Sequence, residues 1–198
     1  MPKSFSQIAA DHGGETVFLS AQDDISNFLS GPLITNYEGV CLALVMMWLA
    51  QDTSKKSPLS GTPNKVAALK MQSEMEAGWR GFNTVYDKGL HVVKKNFWWK
   101  SDIRESISAS DPARYLLNDP QINRDGLHIF VLYPDAGTGH AIGVWRFPSG
   151  TLVLYDPNNG ACAVRGGNFS GFLRDFIAQI YPNMTGYAVC SWCSNPPS

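Results

Sequence analysis

The order of local sequence patterns along the chain constrains its fold more than any other feature. The first part carries helical signals, with an apolar run from about Cys41 to Gln51 and a further helix that is capped by Thr62 and ends before Gly78. The later part has short segments rich in β-branched and aromatic residues, separated by glycine and proline turns, namely GLHIFVLY, HAIGVWRF and TLVLYD. Helices first and strands second favour an α+β domain, with an N-terminal helical part packed on a C-terminal antiparallel sheet, over alternating βαβ units.

Weaker patterns predict further elements. CAVR is a candidate fourth strand, NFSGFLRDFIAQIY a helix capped by Asn168, and TGYAVCSW a late strand. In the helical part we expect a short helix at SAQDDISNFLSG and helical turns at SDIRESI and DPARYLLND. A length of 198 residues suits one domain, so we expect residues 1–198 to form a single domain in which residues 1–20 are a flexible N-terminal segment.

Composition excludes several classes of protein. The chain is 44% hydrophobic and 17% charged with a net charge of −1, so it can build a core and has no basic run to attract nucleic acid. The N-terminus lacks the apolar segment of a secretory signal, and the apolar run at 40–50 is much shorter than the about 20 residues of a membrane span. Four cysteines are too few for a disulfide scaffold in a chain this long, so we expect a compartment where thiols stay reduced.

A cysteine stands at the start of the most apolar run, in NYEGVCLALVMMWLA. Amide dipoles at a helix N-terminus favour negative charge, so a thiolate at Cys41 would be stabilised and its pKa lowered. A free cysteine in an apolar helix is also a common core residue, and position alone leaves both roles open. Asn36 lies in the preceding loop, where its amide could donate to an oxyanion together with the backbone N–H of Cys41, although a turn or cap role is the simpler one.

Two further residues stand at strand ends. His140 follows the glycine-rich loop Gly137-Thr138-Gly139 and opens a strand, which makes its imidazole accessible. Asp156 ends the next strand, because Pro157 prevents the strand from continuing. A carboxylate there could accept a hydrogen bond from the imidazole and fix its orientation, although Asp before Pro is also a common turn residue.

The connection between these strands decides whether His140 and Asp156 can meet. Phe147-Pro148-Ser149-Gly150-Thr151 suits a three-residue loop, a type I turn closed by a left-handed glycine. That register pairs Val144 with Leu154 and places His140 and Asp156 on the same face of the sheet, diagonal to each other. A two-residue Ser-Gly loop would instead place Asp156 on the opposite face.

These motifs together resemble a known family. Gly-Val-Cys before an apolar helix, His-Ala-Ile opening a strand, and Tyr-Asp-Pro-Asn-x-Gly closing the next one are similar to the YopT-type cysteine proteases, which are papain-like enzymes of bacterial effectors. The resemblance implies a papain-like fold with Cys41 as nucleophile, His140 as general base and Asp156 as the orienting acid. It matches Asn36 to the oxyanion-hole asparagine and implies neither a metal nor a cofactor.

The function implied by this resemblance is that of a cysteine endopeptidase acting as a bacterial effector or toxin. Its expected partner is a protein substrate in a host or rival cell, and a toxin against bacteria should also have a cognate inhibitor or immunity protein that covers the cleft. We expect synthesis in the bacterial cytoplasm, export without a signal peptide and delivery to the cytosol of a target cell.

Other functions fit parts of the same pattern. A cell-wall amidase of the NlpC type would share the fold, but such enzymes often use a histidine as the third residue, whereas Asp156 fits the proteases better. A bacteriocin-leader peptidase also has cysteine, histidine and Asp-Pro in this order. A catalytically idle binding module on the same scaffold is a further alternative, although the intact Cys41, His140 and Asp156 speak against it. Cys190 and Cys193 have the spacing of a redox or zinc pair, but without a second ligand pair we favour a plain strand.

Overall fold

The computed structural model describes residues 2–19, 40–51, 65–77, 104–106, 125–134 and 139–193. Over these ranges the chain forms helices and strands in the order α1 (Phe5–Asp11), β1 (Glu15–Leu19), α2 (Cys41–Gln51), α3 (Lys65–Ala77), β2 (Arg104–Ser106), β3 (Gly126–Pro134), β4 (His140–Arg146), β5 (Thr151–Asp156), β6 (Gly160–Arg165), α4 (Gly166–Ile180) and β7 (Met184–Cys193). The predicted strands at CAVR and TGYAVCSW are therefore confirmed as parts of β6 and β7.

The strands form one sheet in the order β1-β6-β5-β4-β3-β7-β2, and neighbouring strands are antiparallel. Helices cover both faces of this sheet, so the central strands bury side chains on both sides instead of alternating between core and solvent. One core, which we call the α2 face, holds α2 and α3 side chains with Leu127, Ile129 and Val131. The other, the α4 face, holds α1 and α4 side chains with Ile142 and Leu154.

Helix α2 lies closely against the centre of the sheet. Its side chains at 43–46, 48 and 49 are fully buried, as expected for a helix that is apolar on all sides. A methyl group at Gly143 on β4 would approach Val45 to 3.0 Å and the Trp48 ring to 3.2 Å, so a glycine here permits the close contact. Gln72 links α3 to the first turn of α2, since its buried Oε1 accepts a hydrogen bond of 3.2 Å from the backbone N–H of Ala43.

The expectation of a flexible N-terminal segment at residues 1–20 is wrong for the described part of that segment. Ser4 and Gln7 form a capping box at the start of α1, and β1 pairs with β6 at the edge of the sheet. Phe5 and Ile8 are buried on the α4 face, where the Phe5 ring packs edge-on against Phe176 at 5.7 Å between centroids. Burial of this apolar side provides the free energy that orders the segment.

Two other local predictions are also wrong. The segment SDIRESI is predicted as a helical turn, but Arg104–Ser106 is a strand paired with β7, because pairing at a sheet edge outweighs weak local preference. Asn168 does not cap α4, which begins at Gly166; its amide donates instead to the His12 carbonyl at 2.9 Å. The predicted elements SAQDDISNFLSG and DPARYLLND, together with the Thr62 cap, lie outside the described residues.

Gly160, which opens β6, provides a test of this architecture. Its φ is +112°, and a Cβ there would lie 2.1 Å from the Phe18 carbonyl oxygen of β1. We expect Gly160→Ala to lower the free energy of unfolding by about 2 kcal/mol or more, since both the backbone conformation and the β1–β6 contact become strained. Chemical denaturation at neutral pH measures the change.

Gly167 in α4 is the matched control, because a Cβ there meets nothing within 4 Å. Gly167→Ala should leave stability unchanged or raise it by up to about 1 kcal/mol, as alanine favours helix. Equal stability of the Gly160→Ala protein and the wild type would contradict the described β5–β6 turn and its contact with β1.

Candidate active site

Cys41 is the first residue of α2, at the end of the helix that lies beside the start of β4. Its neighbour Val40 is buried and accepts a 2.9 Å hydrogen bond from the Leu44 amide, which closes the first turn of the helix. The Cys41 side chain is half-buried, and its thiol is not part of a disulfide. The nucleophile predicted from sequence therefore lies where the amide dipoles of a buried helix point.

The β4–β5 hairpin has the predicted three-residue loop. The Phe147 amide donates to Thr151 at 2.9 Å, the Gly150 amide donates to Phe147 at 2.9 Å, and Gly150 has a φ of +81°. Val144 pairs with Leu154 as the sequence predicts. His140 at the start of β4 and Asp156 at the end of β5 therefore lie on the same side and at the same end of the sheet.

His140 and Asp156 are in direct contact. The distance from His140 Nε2 to Asp156 Oδ1 is 2.8 Å, with His140 only 6% exposed and Asp156 fully buried. Because Nε2 lies against the carboxylate, Nδ1 is the ring nitrogen left for the thiol. The register argument made from sequence thus yields the contact that it required.

The Asp156 carboxylate is surrounded by donors, as a buried charge must be. Oδ1 also accepts a hydrogen bond of 2.9 Å from the backbone N–H of Asn158. Oδ2 accepts hydrogen bonds of 2.6 Å from Asn159 Nδ2 and 2.7 Å from the Tyr181 hydroxyl. Burial raises the pKa of Asp156, but the charge and hydrogen bond of His140 and the Asn159 and Asn158 donors outweigh burial and hold the pKa below its usual value. Asp156 is therefore a carboxylate, not a carboxylic acid, at neutral pH.

The thiol and the imidazole shift each other's pKa in opposite directions. Burial raises the pKa of Cys41, but the hydrogen bond and charge of His140, with the amides of Ala141 and Leu42, lower it below its usual value. Burial lowers the pKa of His140, but Asp156 and Cys41 raise it to about 10. At a pH between the pKa of Cys41 and the pKa of His140, the stable state is a thiolate–imidazolium pair. Such a pair is the reactive form of a catalytic cysteine.

Tyr181 is a residue of this site that sequence reasoning missed. It follows α4 directly, its hydroxyl lies 2.8 Å from His140 Nε2, and its ring stacks on the imidazole with 4.7 Å between centroids. No motif surrounds Tyr181, so only the docking of α4 against the sheet brings it here. Asn158 and Asn159 lie within the Tyr-Asp-Pro-Asn-x-Gly motif. There the tendency of aspartate to form an Asx turn could have predicted the hydrogen bond from the backbone of Asn158 to Asp156.

Several predicted features fall outside the described residues. Asn36, the proposed oxyanion donor, is among them, as are Gly39, Gly137 and Thr138. Cys190 and Cys193 lie on β7, as the plain-strand interpretation requires. Within the described ranges no group of three or more His, Cys, Asp and Glu side chains could hold a metal ion. In the same ranges, no helix is long and apolar enough to cross a membrane.

The fold is similar to that of solved structures. The crystal structure of the Pseudomonas avirulence protein AvrPphB matches with a TM-score of 0.56 at 14% identity, over 85% of this chain and 98% of that one. This match, together with the helices and the antiparallel sheet described above, confirms the predicted α+β fold.

Two weaker structural matches have TM-scores below 0.5. They are the YopT domain of the Pasteurella multocida PfhB2 toxin (0.38, 15% identity, 87% of this chain, 89% of that one) and PatoxP, a cysteine protease-like domain of the Photorhabdus asymbiotica toxin PaTox (0.42, 15% identity, 96% of this chain, 60% of that one). In the sequence comparisons no family model matches the chain, and no curated protein matches it.

The pKa of Cys41 predicts a selective reaction with iodoacetamide. The thiolate is the reacting form, so the rate should fall only when the pH drops through the lowered pKa of Cys41, which lies below the about 8.5 of an ordinary thiol. Cys162 is the internal control, because burial and the nearby Asp156 raise its pKa and close packing excludes the reagent. Peptide mass spectrometry after brief alkylation at neutral pH should find Cys41 modified and Cys162 intact.

His140→Ala provides the second arm of this experiment. Without the imidazolium the two largest causes that lower the pKa of Cys41 are lost, so half-maximal alkylation of Cys41 should shift to a higher pH. An unchanged pH dependence in His140→Ala, or comparable labelling of Cys41 and Cys162 in the folded wild type, would contradict the thiolate–imidazolium pair.

Proposed function

We propose that this chain is a cysteine endopeptidase that acts through Cys41, His140 and Asp156. The observation that carries the proposal is the 2.8 Å hydrogen bond between the buried His140 and Asp156, with Cys41 as the other partner of the imidazole. Nucleophile, base and orienting carboxylate come from three separate elements, α2, β4 and β5, and meet at one end of the sheet. Such an arrangement matches the geometry that acyl transfer by a thiol requires.

The first half of the reaction forms a thioester. The Cys41 thiolate attacks the carbonyl carbon of a peptide bond, and the electron pair of the C=O bond moves to oxygen. In our proposal the backbone N–H of Cys41 and the amide of Asn36 stabilise this oxyanion. The His140 imidazolium then gives its Nδ1 proton to the leaving nitrogen, the C–N bond breaks, and the amine product departs.

The second half of the reaction restores the thiolate. Neutral His140 takes a proton from water, the hydroxide attacks the thioester carbonyl, and the C–S bond breaks to release a carboxylic acid. The buried Asp156 remains ionised throughout and stabilises the imidazolium each time it forms. No step of this scheme requires a metal or an organic cofactor.

The biological setting is also part of the proposal. We place the chain among bacterial effectors or toxins that cleave a protein in a host or rival cell, made in the bacterial cytoplasm and delivered without a signal peptide to the target cytosol. The fold shared with the avirulence protein AvrPphB supports this setting. If the target is a bacterium, a cognate inhibitor or immunity protein that covers the cleft is the expected second partner.

A protease assay with active-site variants tests the proposal. Cys41→Ala and His140→Ala should abolish cleavage of a protein substrate. Asp156→Asn should lower kcat by about 10²- to 10⁴-fold, because an amide lacks the negative charge that stabilises the imidazolium, and its NH2 group cannot accept the hydrogen bonds that Oδ2 takes from Asn159 and Tyr181. The readout is fragment appearance by mass spectrometry, together with Cys41 labelling by an epoxide thiol probe such as E-64.

The choice of substrate separates this function from its alternatives. Wild type and Cys41→Ala are incubated in parallel with mixed cell protein and with cell-wall peptide fragments. Cleavage of cell-wall fragments alone would indicate the amidase function instead. Cleavage of neither, without probe labelling, would indicate a binding module, and full activity of Cys41→Ala would refute the mechanism.

A further inference from the structure

The Tyr181 hydroxyl contacts both partners of the buried pair. It donates to Asp156 Oδ2 at 2.7 Å and lies 2.8 Å from His140 Nε2, while Asn158 Nδ2 donates to it at 3.2 Å. A phenol has one proton to donate and two lone pairs that accept. With its proton on Asp156, the hydroxyl can only accept from His140, so its hydrogen bonds are complete when Nε2 carries a proton.

This arrangement restricts the orientation of the imidazole. Nε2–H has acceptors in both Asp156 Oδ1 and the Tyr181 oxygen, whereas a ring turned by a flip would direct a C–H toward these two oxygens. The stacked Tyr181 ring, inclined by 26° to the imidazole, further opposes rotation. Nδ1 is thereby directed away from the carboxylate, toward the thiol of Cys41.

Tyr181 is itself held firmly by α4. Its backbone amide donates to the Ile177 carbonyl at 2.9 Å, and its ring packs edge-on against Phe176 with 5.5 Å between centroids. Burial first, and then the charge of Asp156, raises the pKa of the phenol above its usual value, so the hydroxyl stays neutral when the enzyme is active. Neutrality keeps a second negative charge away from the carboxylate.

We propose that Tyr181 is a positioning residue that locks the His140 ring with Nε2–H on Asp156 and Nδ1 toward Cys41. The inference rests on the proposed function, because an oriented base matters only if Cys41 is a nucleophile. With this role for Tyr181, the end of α4 contributes a residue to the proposed active site, although α4 and α2 lie on opposite faces of the sheet. The groups that face the imidazole are then Cys41 from α2, Asp156 from β5 and Tyr181 after α4, while the buried thiol of Cys162 on β6 stays protonated.

Tyr181→Phe tests this role, because it removes the hydroxyl and keeps the ring. A less firmly held imidazolium stabilises the thiolate less well, so the pH of half-maximal Cys41 alkylation should rise by about one unit. At a pH below this midpoint the alkylation rate should fall about 10-fold, which is the effect of one hydrogen bond to a charged group. Tyr181→Leu, which also removes the stacked ring, should shift it further. Iodoacetamide rates across pH, with the unfolding temperature measured in parallel, provide the readout.

Tyr155→Phe is the matched control. Tyr155 is also a buried tyrosine and precedes Asp156 directly, but its side chain lies on the α2 face, where its ring stacks on Trp48 with 5.0 Å between centroids. Its variant should keep the wild-type alkylation profile even if stability changes. A purely structural role for Tyr181 would alter the unfolding temperature without shifting the profile.

The outcomes separate the inference from the proposed function. If wild-type Cys41 has a lowered alkylation pH and Tyr181→Phe has the same value, the positioning role is overturned and the proposed function stands. If wild-type Cys41 behaves as an ordinary thiol, both are overturned. A second readout is the His140 Nε2 proton in the NMR spectrum, which should exchange with water faster in Tyr181→Phe than in Tyr155→Phe; equal exchange would also count against the role.

Discussion

The contact between the Asp156 carboxylate and the His140 imidazole is the constraint on which the rest of the structure depends. A fully buried carboxylate is tolerated only when a counter-charge and enough donors surround it. The start of β4 supplies the imidazole, the turn after β5 supplies the Asn158 and Asn159 donors, and the residue after α4 supplies the Tyr181 hydroxyl. Strand pairing, the turn and the docking of α4 must all be correct for this charge to remain buried.

The location of the site follows from the layering of the fold. Strand alternation places His140 with Ile142, and Asp156 with Leu154, on the α4 face of the sheet, whereas Cys41 begins a helix of the α2 face. Side chains from opposite faces can meet only where the strands end. His140 opens β4 and Asp156 closes β5, and antiparallel pairing brings these two positions to the same end. A three-layer arrangement thus brings the Cys41 thiol and the His140 imidazole together at an end of the sheet, where our proposal places catalysis.

The sequence predicted those parts of the structure that local rules govern. The β4–β5 hairpin was predictable because the Pro-Ser-Gly sequence favours a three-residue loop, and that loop fixes the register that brings His140 and Asp156 together. The Tyr181 contact, the ordered α1 and β1, and strand β2 were not, because each depends on a partner distant in sequence: His140 lies 41 residues before Tyr181. An edge strand that pairs with a strand distant in sequence, such as β1 or β2, carries no local pattern that reveals its partner, and neither does the residue after a helix.

The direct test of the central claim is the ultraviolet absorbance of the thiolate as a function of pH, taken as the difference between wild type and Cys41→Ser. The subtraction removes the contributions of the other cysteines and isolates Cys41. The account predicts that thiolate absorbance develops at a pH below that of an ordinary cysteine and disappears on acidification, since the His140 imidazolium, supported by Asp156, stabilises the negative sulfur. Thiolate absorbance that appears only above about pH 8.5, the value of an ordinary cysteine, would contradict the account.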